Sequence, residues 1–176
     1  MLGAEDGDVR IREVRPSDLD LYLALRGDAG TMRHLGGPHP ADRIAASHAR
    51  EVAEVAAGRA WIVVAEVRTE DGWQPAGNVS LVRHPSAEGE TSELGWMVLP
   101  AYRGRGVARS AVRLLLGLPG AAGTWGAVEA FPSTANVASG RLCAGLGFAD
   151  LGEVELEFAG HWFTCTRWRL EPPYLR

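Results

Sequence analysis

The pattern of hydrophobic and polar positions predicts a strand followed by two helices in the first third of the chain. Hydrophobic and polar residues alternate over 9–14 (VRIREV), which is typical of a strand with one buried face. The leucines of 16–26 are spaced by two, as in a strand, but the opening Pro-Ser-Asp indicates a helix start, and we predict a helix. Residues 27–40 are rich in turn formers and predict a loop with a short helical piece, whereas the Ala-rich 41–58 has helical periodicity.

From residue 60 onward the pattern changes to short hydrophobic runs separated by turns, which predicts a β-meander and then alternating helices and strands. Helical connections lie on both sides of 125–131, so we expect this strand to pair in parallel with a neighbour. The last two strands are expected to form a hairpin around Ala159 and Gly160. The predicted strands are 60–67, 76–84, 91–99, 125–131, 147–158 and 161–170, and the predicted helices in this part are 104–117 and 133–146.

This order of elements, β-α-α-β-β-β-α-β-α-β-β, predicts an α/β fold with a mixed central sheet of about seven strands flanked by about four helices. No internal repeat, low-complexity linker or shift of composition divides the chain, so residues 1–176 are expected to form a single domain. At 176 residues the chain is long enough to bury a sizeable core.

Composition and charge exclude several classes of protein. Hydrophobic residues make up 46% of the chain and charged residues 23%, as in ordinary globular proteins, while the net charge of −4 argues against general nucleic-acid binding. No apolar run is long enough to span a bilayer, and the acidic first ten residues lack the apolar segment of a signal peptide, so the expected location is the cytoplasm. Cys143 and Cys165 form neither a disulfide framework nor a metal-ligand spacing with histidine, so no metal site is predicted.

The chain contains no lysine, so every basic side chain other than histidine is an arginine. The absence of lysine excludes a Walker-type phosphate-binding loop and a catalytic Schiff base, since both need that residue. Arginine itself binds phosphate well, because its guanidinium group donates several hydrogen bonds in a fixed geometry.

The stretch 99–116 (LPAYRGRGVARSAVRLLL) places two glycines and four arginines where a predicted strand gives way to a predicted helix. Pro100 ends the strand, and Gly104 and Gly106 open the turn. Glycine destabilises a helix, so two glycines at a helix start indicate a backbone that approaches a ligand closely. The first N–H groups of a helix lack internal partners and lie at the positive end of its dipole, which favours an anion and phosphate above all.

A dinucleotide is one candidate for this phosphate ligand, but the pattern argues against it. The dinucleotide fingerprint G-x-G-x-x-G needs a third glycine for tight packing of the helix on the strand, and Arg109 stands at that position. The two N-terminal helices also precede a three-strand meander instead of repeating β-α-β units. The stretch therefore predicts a different phosphate-bearing ligand.

Two motifs resemble the signatures of the GNAT superfamily of N-acetyltransferases. Residues 103–108 (RGRGVA) match the acyl-CoA pattern [QR]-x-x-G-x-[GA], and NVASGRLCAGLGF resembles the second signature at Asn136, Ser139, Gly147 and Phe148. The N-terminal part (REVRPSDLDLYLALRGD, then MRHLGG) resembles the branch that acetylates the N-termini of ribosomal proteins and assorted small amines. The resemblance covers nearly the whole chain and implies the GNAT fold, acetyl-CoA as the cofactor and acyltransferase activity toward an amine.

The resemblance implies how coenzyme A is held. The backbone N–H groups of 104–108 would cradle the pyrophosphate, and the arginines around them would reach its phosphates, although Arg109 also fits an ordinary solvated helix face. The main chain of 97–99 would pair with the pantetheine arm like an added strand, and Asn136 either binds that arm or only caps its helix. The implied cofactor-binding residues are Met97, Val98, Leu99, Arg103, Gly104, Arg105, Gly106, Val107, Ala108, Arg109, Asn136, Ser139 and Cys143.

The resemblance also implies the catalytic groups. Glu93 lies ten residues before Arg103, where many members carry an acid, so it is the candidate base that takes a proton from the amine; the alternative is an ordinary strand-end carboxylate. Many relatives protonate the leaving thiolate with a tyrosine seven residues after the asparagine, and that position is Cys143 here. Ser139, on the same helix face, is the substitute that the ribosomal branch suggests.

The acceptor amine would contact the 27–40 loop and the last hairpin, with His34, His39 and Trp162 as candidate contacts. Three acceptor classes stay open: a peptide N-terminus, an aminoglycoside and a polyamine. Neither nucleic acid nor a membrane is an expected partner, and a homodimer is compatible with the resemblance, since dimers are common among relatives.

Two other functions compete with acetyl transfer. A non-catalytic acyl-CoA-binding sensor is favoured by Cys143 in place of the usual tyrosine and opposed by the presence of Glu93. A mononucleotide- or phosphate-binding protein would explain the glycine turn, but the stretch from Asn136 to Phe148 argues against it. Acetyl transfer to an amine is therefore the main expectation.

Overall fold

The fold, in a computed structural model, is a mixed β-sheet with helices on both faces. The structure describes residues 2–86, 89–158 and 160–174. Within them the strands are β1 (Gly3–Asp6), β2 (Val9–Glu13), β3 (Trp61–Thr69), β4 (Gly72–Ser86), β5 (Gly89–Val98), β6 (Val128–Ala130), β7 (Ala149–Phe158) and β8 (His161–Leu170), in the sheet order β1-β2-β3-β4-β5-β6-β8-β7. The α-helices are α1 (Leu19–Arg26), α2 (Ala29–Met32), α3 (Ala41–Ala56), α4 (Val107–Leu116), α5 (Ala121–Trp125) and α6 (Val137–Gly145), with 3-10 turns at Pro16–Asp18 and Pro100–Tyr102.

The predicted α/β class is confirmed, with local differences in the elements. The sheet gains β1, which pairs antiparallel with β2 because a glycine at positive φ turns the chain between them. The predicted strand 125–131 is shorter, since α5 extends to Trp125 and β6 covers only Val128–Ala130. The loop 27–40 contains the predicted short helix, α2. The predicted turn of the last hairpin lies partly outside the described residues, which omit Ala159.

Strand β3 is buried on both faces because a helical layer covers each side of the sheet. Val63 and Ala65 pack with α4, whose Leu115 is fully buried, whereas Ile62 and Val64 pack with α1 and α3. A strand covered on both faces is a continuous apolar run in sequence, as WIVVAEV is. The core is therefore two hydrophobic clusters, one on each side of the sheet.

Strands β5 and β6 run parallel for only two residue pairs and then diverge. β5 pairs with β4 along its whole length, but with β6 only at Ser92–Val128 and Glu93–Glu129. The predicted parallel pairing of this strand is confirmed. Over 94–98 no strand of the described chain pairs with the outer edge of β5, so this edge presents backbone N–H and C=O groups to its surroundings.

A buried carboxylate fastens β6 to β8 at the point of divergence. Glu129 is 1% exposed and accepts hydrogen bonds from Arg167 at 2.7 Å and from Arg169 at 3.1 Å. Burial alone would raise the pKa of Glu129, but the two arginines outweigh it and hold the pKa below its ordinary value. Near the N-terminus, Arg12 holds the pKa of the buried Asp18 below its ordinary value in the same way, against the effect of burial.

We predict that the free energy of unfolding falls as the pH is lowered into the acidic range. Because folding lowers the pKa values of Asp18 and Glu129, their contribution is complete above the ordinary values of 3.8 and 4.5 and is lost as the pH falls below them. Urea unfolding between pH 7 and pH 3 measures the decline. Asp18→Asn should reduce the slope of the unfolding free energy against pH by up to about 1.4 kcal/mol per pH unit. The exposed control Asp20→Asn should leave this slope unchanged. Equal slopes for the two variants would contradict this account.

Candidate active site

A cavity of about 650 Å³ opens where β5 and β6 diverge. Its walls are β5, the loop before α4, the first turn of α6 and the residues around α2. Most of the residues predicted for the site come together here, although they belong to three separate segments of the chain. The predicted residues that line the cavity are Glu93, Met97, Val98, Arg103, Gly104, Gly106, Val107, Ala108, Arg109, Asn136 and Ser139.

The glycine turn before α4 has an open backbone. Gly104 and Gly106 have φ values of +73° and +78°, where a side chain would be strained. A Cβ atom built on either glycine would meet no heavy atom within 4 Å, so the space above this backbone is open. Gly106 is the N-cap of α4, and the N–H groups of the next three residues have no partner within the helix. The turn therefore has the geometry of an anion site at a helix N-terminus.

Two arginines beside this turn also make contacts within the protein. Arg103 donates from Nε to the carbonyl of Val98 at 3.1 Å and from Nη2 to Oγ1 of Thr31 at 2.5 Å. Arg109 donates from Nη2 to the carbonyl of Gly145 at 2.9 Å, which ties α4 to the end of α6. Both side chains remain exposed, so each guanidinium group keeps N–H donors for an anion in the cavity.

The first turn of α6 presents Asn136 and Ser139 to the cavity. Asn136 is the N-cap of the helix, and its Oδ1 accepts a hydrogen bond from the backbone N–H of Ser139 at 3.2 Å. Capping uses only the oxygen of this amide. The Nδ2 donors of Asn136 make no hydrogen bond within the described chain and can serve a ligand.

Three predicted residues lie away from the cavity. Cys143 is fully buried in the core, where burial raises the pKa of its thiol to about 12. The guanidinium carbon of Arg105 lies 5.7 Å from the ring centre of Tyr102, and Leu99 packs with the hydrophobic cluster under α1 and α3. We therefore leave the side chains of Cys143, Arg105 and Leu99 out of the proposed site.

Glu93 is half-buried and lines the cavity at the point where the two strands diverge. It is the residue pair of Glu129, so the two carboxylates lie on one face of the sheet. Burial raises the pKa of Cys165 in β8, and the charges of Glu155 and Glu93 raise it further. Glu93 is therefore within electrostatic reach of the last hairpin as well as of the cavity.

Both predicted acceptor segments reach the cavity. His34 lines it and accepts a hydrogen bond from Nε of Arg33 at 2.9 Å. Burial, and then the charge of Arg33, lower the pKa of His34, which favours the neutral imidazole at neutral pH. His39 and Trp162 do not line the cavity, whereas Phe158 at the end of β7 does.

Sequence reasoning missed two polar residues of the cavity floor, Asn78 and Ser80 in β4. They alternate with apolar residues in AGNVSLV, so both point to the face of the sheet that α1 and α3 cover. The sequence does carry a signal for them, because polar residues at every second position of a buried strand indicate a polar site on one face of the sheet. Arg26 and Arg141 also line the cavity, and no motif marks them.

Comparisons with known proteins agree with this geometry. A model of the acetyltransferase (GNAT) domain matches residues 8–149, so the chain belongs to the GNAT family. A comparison with curated proteins found no significant match. Similar solved structures include a GNAT-family acetyltransferase from Bacillus anthracis (16% identity, 96% of this chain and 98% of that chain covered, TM-score 0.77), the ribosomal-protein-S5-alanine acetyltransferase from Vibrio fischeri (18%, 100% and 100%, 0.74) and the yncA protein from Salmonella typhimurium with its cofactor acetyl-CoA (21%, 94% and 94%, 0.72).

Membership of the family confirms the predicted GNAT resemblance. The chain is an acetyltransferase by family, and acetyl-CoA is the cofactor of that family, as predicted. The open glycine turn and the unpaired edge of β5 fit the phosphates and the extended arm of such a cofactor.

Two other features are absent from the described residues. No group of three or more His, Cys, Asp and Glu side chains in this part of the chain could hold a metal ion. No helix in the described ranges is both long and apolar enough to cross a membrane.

We predict that Gly106→Val weakens acetyl-CoA binding at least tenfold, about 1.4 kcal/mol, because a branched side chain would fill the open space above the turn. Valine at this positive φ is also strained, so a loss of stability accompanies the change. Gly120→Val is the matched control, since Gly120 is the N-cap of α5 at φ +83° and lies off the cavity. Calorimetric titration of both folded variants with acetyl-CoA separates a loss of binding from backbone strain. Equal acetyl-CoA affinities of the two variants would contradict the anion site.

Proposed function

We propose that this protein is an acetyl-CoA-dependent N-acetyltransferase that acts on a primary amine, either a peptide N-terminus or a small molecule, by direct attack in a ternary complex. The observation that carries the proposal is the arrangement along β5. Glu93 stands where this strand leaves β6, and the glycine turn follows the far end of the same strand. The open edge between them spans about 17 Å, so one extended ligand can reach the anion site and the carboxylate together.

Bound acetyl-CoA supplies an acetyl group activated as a thioester. We assign its phosphates to the N–H groups at the start of α4, with Arg103 and Arg109 as charged donors. The backbone of Met97 and Val98 belongs to the open edge that would pair with the pantetheine arm, and Asn136 would donate from Nδ2. Five arginines and one glutamate line the cavity, which favours an anionic ligand.

We assign the role of general base to Glu93. An amine attacks a thioester only in its neutral form, and most primary amines are protonated at neutral pH. The carboxylate of Glu93 faces the cavity at the end of the groove where the acetyl group would lie, so it would take this proton directly or through water. Holding the amine beside the thioester would add a proximity effect of roughly 7–11 kcal/mol.

We assign the proton for the leaving thiolate to Ser139. Ser139 lines the cavity one turn after Asn136, the N-cap of α6, whereas Cys143 is buried in the core. A hydroxyl can donate to the thiolate and be recharged by water, without a charged acid. The burial of Cys143 supports its interpretation as a small hydrophobic residue.

We further propose that residues 1–176 act as one domain in the cytoplasm, without nucleic acid or a membrane as partner. The net charge of −4 supports this, because it disfavours binding to polyanions. A homodimer is the assembly to test by light scattering, since many relatives form one.

A non-catalytic acyl-CoA-binding sensor is the second candidate. One observation favours it: buried Cys143 occupies the position where many relatives carry the tyrosine acid. A sensor would bind acetyl-CoA without breaking the thioester. Release of free thiol from acetyl-CoA, measured across a panel of amines, distinguishes the two, because only the enzyme gives amine-dependent release.

We predict that Glu93→Gln lowers turnover by about 10- to 1000-fold and leaves acetyl-CoA affinity nearly unchanged. Glutamine keeps the shape of the side chain and removes its basicity. The deficit should shrink as the pH rises toward the pKa of the amine, because solvent then provides neutral amine. Initial rates from pH 6 to pH 10 test this, with Glu155→Gln on the exposed side of β7 as the control. Wild-type turnover of the Glu93 variant at pH 7 would make Glu93 structural.

We predict opposite effects for the two candidate acids. Ser139→Ala should lower kcat at least about tenfold and leave the fold intact, because it removes a proton donor from the cavity. Cys143→Ala should lower the free energy of unfolding by about 1 kcal/mol through a small core cavity and leave kcat unchanged. Steady-state kinetics and urea unfolding on both variants check this, and a stable Cys143→Ala protein without turnover would reverse the assignment.

A further inference from the structure

A chain of hydrogen bonds beneath the cavity floor ends at Asn78. Arg26 donates from Nη2 to Oε1 of Glu51 at 2.6 Å, and the hydroxyl of Tyr22 donates to Oε2 of Glu51 at 2.9 Å. Nδ2 of Asn78 donates to the oxygen of Tyr22 at 3.5 Å. Tyr22 is fully buried, and Asn78 lines the cavity with 5% of its surface exposed. Polar contacts thus run from α3 through α1 to the cavity floor.

The hydroxyl of Tyr22 determines which way the amide of Asn78 points. Burial, and then the charge of Glu51, raise the pKa of Tyr22 well above its ordinary value, so the hydroxyl keeps its single proton. That proton is given to Glu51, and the oxygen of Tyr22 can only accept on its other side. The NH2 end of the amide must therefore face Tyr22, and Oδ1 of Asn78 lies on the side away from it.

Oδ1 of Asn78 has no hydrogen-bond partner in the described part of the chain, although it is buried. A buried carbonyl without a partner destabilises the folded state, and the long bond to Tyr22 offsets little of this. Asn78 itself lines the cavity, so a ligand bound on this floor is the available source of a donor for its buried Oδ1.

Asn78 is too far from Glu93 to bind the reacting nitrogen. It lies on β4 opposite Met97, whereas the residue opposite Glu93 is Val82, four positions further along the strand. Four residues of a strand span about 13 Å. Asn78 also lies one strand inward from the open edge of β5, so it belongs to the floor of the cavity and not to the cofactor edge.

The floor between Glu93 and Asn78 is kept open by Gly95. A Cβ atom on Gly95 would lie 2.9 Å from Oγ of Ser80, closer than such contacts normally are. The residues that line this floor, on the sheet face that packs against α1 and α3, are Asn78, Ser80, Glu93 and Gly95. A ligand can therefore extend along this floor from the carboxylate to the amide.

We propose that Asn78 determines acceptor specificity, with Oδ1 accepting a hydrogen bond from a neutral N–H or O–H group within about 13 Å of the reacting amine. This inference rests on the proposed function. The amide oxygen carries no formal charge, so this end of the floor offers a neutral acceptor and no carboxylate for a second cation. The acceptor is accordingly an amine that also carries amide or hydroxyl groups, and not a simple polyamine.

Calorimetric titration in saturating coenzyme A tests this without turnover. One probe series is trialanine amide and its analogues methylated at single amide nitrogens; the other is linear amino alcohols and their methyl ethers. Wild type should bind at least one donor-bearing probe tenfold more tightly than its methylated partner, and Asn78→Leu should bring that ratio to about one. A tenfold difference in the peptide series indicates an amide donor, and one in the amino alcohol series indicates a hydroxyl donor.

Gln74→Leu is the matched control, because it makes the same kind of change on the same strand, off the cavity, and should keep the wild-type ratio. No discrimination by wild type in either series, or an unchanged ratio in Asn78→Leu, overturns the role of Asn78. If wild type shows the ratio and Asn78→Leu abolishes it while no amine is acetylated, the proposed function fails and Asn78 remains a binding residue for the donor group.

Thermal unfolding gives a readout that separates this role from a structural one. Leucine has the same branching and number of side-chain heavy atoms as asparagine and removes the unpartnered oxygen, so Asn78→Leu should melt at or above the wild-type temperature. A melting temperature several degrees lower, together with an unchanged binding ratio, would make Asn78 a structural residue and overturn the proposal.

Discussion

Backbone groups at the edge of a sheet need hydrogen-bond partners, and this requirement organises the whole cavity. β5 leaves β6 after Glu93, and no described strand pairs with its outer edge over 94–98. Beyond this point β6 stays beside β8, to which Glu129 is bonded through Arg167 and Arg169. The open edge of β5, the carboxylate of Glu93 where it begins and the polar floor beside it all depend on this divergence.

Most of the fold could be predicted because local patterns determine most of its elements. The leucines of α1 have strand-like spacing, yet the Pro-Ser-Asp start correctly predicts a helix, since helix ends have their own chemical requirements. β1 could not be predicted, because Gly3–Asp6 has no apolar alternation and becomes a strand only by pairing with β2. The short length of β6 could not be predicted either, because it depends on how far β6 pairs with β5 and β8.

The part of the site that is easiest to predict is the part where the backbone needs particular residues. Gly104 and Gly106 must adopt positive φ, so the turn is visible as a glycine pattern. Asn78 leaves no such mark, because its orientation depends on Tyr22, 56 positions earlier in the chain. Cys143 shows the converse: its place in the motif suggests the position of an acid, but its surroundings in the core decide its chemistry.

The charged contacts of this protein are resistant to acetylation. Every cation in its described ion pairs is an arginine, from Arg12 with Asp18 to Arg167 with Glu129, because the chain has no lysine. A guanidinium group stays protonated at physiological pH and lacks the free amine that acetyl transfer requires. An enzyme of this kind offers no side-chain amine to its own reaction, so acetyl groups can neutralise neither its fold-stabilising ion pairs nor the arginines that line its cavity.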